Sequence, residues 1–116
     1  MCDFLVERRR RALAAGIGAE RIVLDAGLDL GKTAGQSLQL LRDSPTLASL
    51  GSPVLLSASN KTFLGAMFDL TVTQRREASL AALALGVAAG CRVVRVHDVL
   101  GAVRVRDTIR SILESV

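Results

Sequence analysis

Three short, continuous apolar runs constrain this chain more than any other feature, because each stops abruptly on polar residues and each is separated from the next by a helical pattern. They are Arg21–Leu24, followed by Asp25; Pro53–Leu56, followed by Ser57; and Arg92–Val96, followed by His97 and Asp98. The first of them, continuous and β-branched, reads as a strand of a parallel sheet buried on both faces, and the other two repeat its layout. In such sheets the residues just past a strand's C-terminal end are the ones delivered to a site. Ile22 to Thr33 is the richest example: an apolar run, then the carboxylate of Asp25, then two glycines and Lys32 before a helical pattern resumes.

Between the runs the pattern is helical. Asp3 to Ile17 reads as a helix with Asp3 as N-cap and Gly16 or Gly18 near its stop. Its apolar face is Leu5, Val6, Ala12, Leu13 and Ile17, with Arg9 on the same face and able to snorkel by its long stem. A second helix is predicted from Gln36 to Asp43, ended by Pro45, with Leu47 and Leu50 on a further turn. Thr73 to Ala89 is the longest pattern: Leu80, Leu83, Ala84 and Val87 recur at helical spacing, Thr73 is the expected N-cap and Gly90 the C′ glycine. Asp98 is placed to cap a last helix to about Glu114, expected to bury Ala102, Val105, Ile109, Ile112 and Leu113.

The order α-β-α-β-α-β-α is that of consecutive βαβ units. Two architectures share it: a small open α/β sheet, or part of a (β/α)8 barrel, which takes about 250 residues in full. A chain of 116 residues can hold only one domain or part of one, so residues 1–116 are expected to be a single partial domain.

Composition excludes several classes. The net charge of +4 owes much to the block Arg8 to Arg11, and three Phe are the only aromatics, which leaves no stacking platform for nucleic acid. Cys2 and Cys91 fit neither a disulfide framework nor a zinc spacing, which favours a reducing, cytoplasmic location. No apolar segment approaches the roughly 18 residues that span a bilayer, and no membrane association is expected. Gly27-Leu-Asp-Leu-Gly-Lys-Thr33 is no P-loop either, because only three residues separate its glycines where the motif needs four.

Three linked motifs, Asp25-Ala-Gly-Leu-Asp-Leu-Gly-Lys-Thr33, Ser57-Ala-Ser-Asn-Lys-Thr-Phe-Leu-Gly65 and Arg92-Val-Val-Arg-Val-His-Asp98, resemble in order and spacing those of dihydropteroate synthase. The resemblance covers nearly the whole chain and corresponds to the C-terminal part of that enzyme. It implies the C-terminal portion of a (β/α)8 TIM barrel, with about three parallel strands and four helices. The activity it implies is condensation of 6-hydroxymethyl-7,8-dihydropterin diphosphate with 4-aminobenzoate in folate biosynthesis. Magnesium is implied as cofactor, its ligand lying in the N-terminal half that this chain lacks, and the full-length family implies a homodimer. By the same resemblance Asp25 holds the amino and N–H edge of the pterin. Lys61 contacts the pterin carbonyl, and Arg95 and His97 lie against the pterin and hold the leaving diphosphate. Catalytic roles fall to Lys61, Arg95 and His97, and substrate contacts to these three with Asp25 and Asn60.

The departures point to a divergent paralogue. The family has proline, glycine and phenylalanine where this chain has Ala26, Asp29 and Leu30, and arginine where it has Asn60. The phenylalanine and the arginine help form the aminobenzoate pocket, so the second substrate is affected more than the pterin. The fragment alone is expected to be inactive, and a pterin-binding paralogue without synthase activity or a structural remnant are the alternatives. Each site residue also has a plain structural reading. Asp25 can close its own turn, Lys32 and Thr33 can close the loop and cap the next helix, and Arg95 can pair with Asp25. Val23, Leu55 and Val94 are expected to face inward without partners, which makes the isolated chain prone to self-association or aggregation.

Overall fold

The computed structural model describes residues 1–114. Three strands, β1 (Leu24–Asp25), β2 (Val54–Leu56) and β3 (Val93–Val94), form a parallel sheet in that order. In register, Leu24 stands opposite Val54, Asp25 opposite Leu55, Leu55 opposite Val93 and Leu56 opposite Val94. The strands are shorter than the apolar runs. Arg21 belongs to a 3₁₀ turn (Ala19–Arg21), and Pro53, lacking an N–H, only accepts the Leu24 amide through its carbonyl. Beyond β3, Arg95 still donates its amide to Leu56 at 2.9 Å, which fixes its place in the register.

Six helices flank the sheet: α1 (Cys2–Ala14), α2 (Ala34–Arg42), α3 (Ser44–Ala48), α4 (Thr62–Ala66), α5 (Arg76–Ala89) and α6 (Val99–Glu114). Thr33 and Gln36 make a reciprocal capping box at the start of α2, the role expected of Thr33. Pro45 falls in the first turn of α3, where a missing N–H costs nothing. Thr73 does not cap α5. A 3₁₀ turn (Val72–Gln74) precedes that helix, capped by a box between Thr71 and Gln74, and the longer helix begins at Arg76. Gly90 takes the left-handed conformation at φ +108 and ends α5 as expected.

The core lies on one side of the sheet. Leu24, Val54 and Leu56 are buried there against Phe63, Leu64, Ala82 and Leu83, and Val94 packs on the same cluster. Gly86 lets α5 approach β2 closely: a Cβ there would overlap the Leu56 side chain. The alternate residues face the other way and are poorly covered, with Val23 51% and Val93 41% exposed. Val93, not Val94, is therefore the bare strand residue, because the register turns Val94 to the helices. Of the α1 face only Leu5 is buried, and Arg9 reaches past it to donate to the Ser52 hydroxyl at 2.8 Å. On α6, Ala102 is buried and Val105 packs on the core, whereas Ile112 and Leu113 project into solvent.

Candidate functional site

Asp25, Lys61, Arg95 and His97 all lie at or just past the C-terminal ends of β1, β2 and β3. In a sheet whose strands run the same way, that is one end of one layer. Asp25 shares a cross-strand row with Leu55 and Val93, and Arg95 follows Val93 by two residues, so both belong to the uncovered face. Four charged side chains bear on the Lys61 ammonium. Burial lowers its pKa, Asp25 and Asp29 oppose that shift, and Arg95 and Lys32 add to it. The amine donates to the Leu28 carbonyl at 2.8 Å, which turns it back over the loop after β1 rather than out to water.

That loop is tied at several points. The Gly27 amide donates to Asp25 Oδ1 at 2.8 Å, so one carboxylate oxygen closes the local turn. Lys32 donates to the carbonyls of Gly27 and Leu30 at 2.9 and 3.0 Å, the loop-closing role expected of it. Among the described residues no ion pair joins Arg95 to Asp25.

Two residues beyond Arg95, His97 is oriented by Ser59. The His97 amide donates to Ser59 Oγ at 3.2 Å, and the same hydroxyl pairs with His97 Nδ1 at 2.8 Å. With Nδ1 engaged, Nε2 is the nitrogen left for a ligand. Asn60 sits in the left-handed region at φ +57, a conformation that asparagine tolerates better than most residues. Its backbone amide donates at 2.9 Å to the Ser79 hydroxyl, whose own proton goes to the Arg75 carbonyl at 2.6 Å, and its carbonyl accepts from the Arg75 guanidinium at 2.9 Å. The same guanidinium donates to the Leu70 carbonyl, pinning the segment between Asn60 and α5.

A cleft of about 500 Å³ opens between the loop after β2, the first turns of α5 and residues 95–98. Leu56, Leu80 and Leu83 form its floor, and Ser59, Asn60, Arg76, Arg95, His97 and Asp98 its polar rim. Asp98 accepts from the Gly101 amide, as its capping role required, and from Arg76 at 2.8 Å. Both hold its carboxyl below the usual carboxylate range, the amide bond most strongly. The cleft is lined by Arg95 and His97 but not by Asp25, on the uncovered face, or by Lys61, at the N-cap of α4. Among the described residues no three His, Cys, Asp or Glu side chains gather as a metal site would require. No described helix is long and apolar enough to cross a membrane.

Sequence reasoning passed over Ser59, Ser79 and Arg75, and treated Asp29 only as a departure from a family pattern. Ser59 and Ser79 act across intervals of 38 and 19 residues, which no local spacing rule detects. The Thr71 and Gln74 box was visible, since a threonine followed three residues later by glutamine is a capping signature.

Helices on one face of a parallel sheet, and charged residues at its strand ends, define a segment of a (β/α)8 barrel with part of its mouth. The sequence profile of the pterin binding enzyme family matches residues 1–97, and the chain belongs to that family. It is 43% identical over 102 residues to the inactive dihydropteroate synthase 2 of Mycobacterium leprae, covering 88% of this chain and 35% of that protein. It is 38% identical over 99 residues to the dihydropteroate synthase of Bacillus subtilis, covering 85% and 35% respectively. The solved structure of the Xanthomonas albilineans dihydropteroate synthase in complex with 7,8-dihydropteroate superposes with a TM-score of 0.94 at 34% identity, over 99% of this chain and 44% of that one. The chain thus spans about a third of the length of these curated relatives.

Proposed function

We propose that this chain supplies the pterin-holding wall of a dihydropteroate synthase-like barrel. The complete reaction joins 6-hydroxymethyl-7,8-dihydropterin diphosphate to 4-aminobenzoate, releasing diphosphate; the segment alone does not complete it. The observation that carries this reading is the position of Lys61, whose amine rests on the Leu28 carbonyl within the fields of Asp25 and Arg95 at adjacent strand ends. Asp25 keeps one carboxylate oxygen outside its turn bond, an acceptor for the amino and ring N–H edge of a pterin. Lys61 is the donor for the ring carbonyl. Arg95 can stack its planar guanidinium on the heterocycle while donating to phosphate, and the Ser59-held imidazole of His97 adds a second donor. Charge placed where the diphosphate departs lowers the barrier as negative charge develops there.

Magnesium, which the resemblance assigns to the diphosphate, finds no ligand cluster among the described residues, and no role here depends on it. The same reading makes the complete protein a cytoplasmic homodimer. NMR titration of the chain with 6-hydroxymethylpterin tests the proposal: amide shifts at Gly27, Lys61 and Arg95 that vanish in Asp25→Asn are expected. Shifts absent at millimolar pterin, or unaffected by that substitution, would overturn it.

A second reading, a pterin-binding paralogue without synthase chemistry, is favoured by one observation. Asn60, where the family has arginine, is tied to α5 through its backbone amide on Ser79, and Leu30, where it has phenylalanine, is 69% exposed. Both positions help form the family's aminobenzoate pocket. In a complete polypeptide, Asn60→Arg with Leu30→Phe should tighten aminobenzoate binding measured by calorimetry; no change would remove the support these positions give.

A further inference from the structure

We infer that Asp29 is a positioning residue: its carboxylate latches the loop after β1 onto the first turn of α4 and so sets where the Lys61 ammonium sits. Helix α4 begins with Lys61 at its N-cap, and a lysine has no acceptor with which to satisfy the first helical amides. Those amides turn to another loop. Thr62 N donates to Asp29 Oδ2 at 2.6 Å and Phe63 N to Asp29 Oδ1 at 3.2 Å, across more than thirty positions of sequence. A carboxylate at a helix start is also favoured by the peptide dipoles that converge there.

All three bonds of the latch run the same way, from donors at 61–63 to acceptors at 28 and 29. Lys61 donates from the α4 side to the Leu28 carbonyl, while Asp29 accepts from the same side through its carboxylate, so two consecutive residues of one loop grip three consecutive residues of the other. Asp29 is itself immobilised. Its own amide donates at 2.9 Å to Ser37 Oγ, a fully buried hydroxyl in α2. Its backbone sits in the left-handed region at φ +71, which aspartate, like asparagine, adopts more readily than most residues. Leu28 on one side of the latch and Phe63 and Leu64 on the other are buried in the core. Asp25, by contrast, uses its carboxylate only within its own turn. Asp29 also supports the charge of Lys61, opposing the loss of its proton to burial.

The test needs no pterin and uses the full chain with Asp29→Gly and Asp29→Asn. Glycine fits φ +71 without strain, so its effect reports the lost carboxylate rather than a distorted turn. Two readouts are taken: amide hydrogen exchange at Thr62 and Phe63, and titration of the Lys61 amine by NMR after ¹³C-dimethylation. In Asp29→Gly, exchange at both amides should accelerate at least tenfold, and the Lys61 resonance should shift and titrate at lower pH. Asp29→Asn keeps an acceptor but not the charge, so one amide should stay protected while Lys61 still titrates lower. Exchange that accelerates with no change at Lys61 would reduce Asp29 to an ordinary cap and overturn the assignment. Unchanged exchange in Asp29→Gly would overturn it as well.

Discussion

The two faces of the sheet differ as a finished core differs from an unfinished one. On the helix side Leu24, Val54 and Leu56 are each less than a tenth exposed, and Gly86 brings α5 into contact with β2. On the other side Val23, Asp25, Val93 and Arg95 are exposed and Leu55 is half-buried, an alternation of apolar and charged residues. A strand residue can be apolar on both faces, yet burial follows only where a partner layer exists. The covered core and the charged strand-end residues Asp25 and Arg95 thus lie on opposite sides of the same three strands.

Breaking the covered face should have the largest effect. Phe63, in the first turn of α4, is fully buried, and Phe63→Ala should cost about 3–5 kcal/mol of unfolding free energy, read from a urea transition. The shift should be in the midpoint rather than the slope. Next comes Gly86→Ala, which pushes a methyl group into Leu56 and should cost about 1–3 kcal/mol. A neutral outcome there would mean that α5 lifts from β2 at little cost.

Smaller effects should appear in the pH dependence. The Asp98 carboxyl has a folded pKa below its unfolded value, so its contribution is present above about pH 4 and is lost as pH falls through the lower, folded value. Asp98→Asn should flatten that acid limb of a pH-stability curve. Lys61 has the opposite consequence. Its folded pKa is lowered chiefly by burial, so between that value and the ordinary lysine value of about 10.4 the unfolded chain binds more protons and stability rises with pH. Lys61→Met should remove this alkaline rise, and a rise that persists would place its origin elsewhere.

The smallest effect is expected on the open face. Val23→Thr and Val93→Thr should each stay within about 0.5 kcal/mol in the isolated chain, because both side chains are already wet. The comparison sharpens if concentration is varied during analytical ultracentrifugation. An uncovered apolar row with unpaired strand edges predicts self-association, and these same substitutions should weaken it. A monodisperse, cooperatively melting chain would show that the open face needs no cover.

The alternation of strand and helix, the parallel direction, and the polar residues at the strand ends were legible along the chain, because hydrophobic period and turn chemistry act over a few residues. The capping roles of Thr33, Gly90 and Asp98, all of them local contacts, were legible as well. Strand limits were overestimated because an apolar run such as Arg21–Leu24 records only residue type, whereas a strand requires a hydrogen-bonding neighbour, and among the described strands β1 has one on a single side. Ile112 and Leu113 were read as core from a periodicity that α6 does keep, but the layer that would cover them is not among the described elements. Which charges meet was decided only in three dimensions. Asp25 turns to Gly27 instead of Arg95, and Asp29 reaches α4 from a distant loop, because packing of Leu28, Phe63 and Leu64 sets how the two loops face each other. Hydrogen bonds over such separations depend on where the core holds the backbone, a quantity that no spacing of residues along the chain encodes.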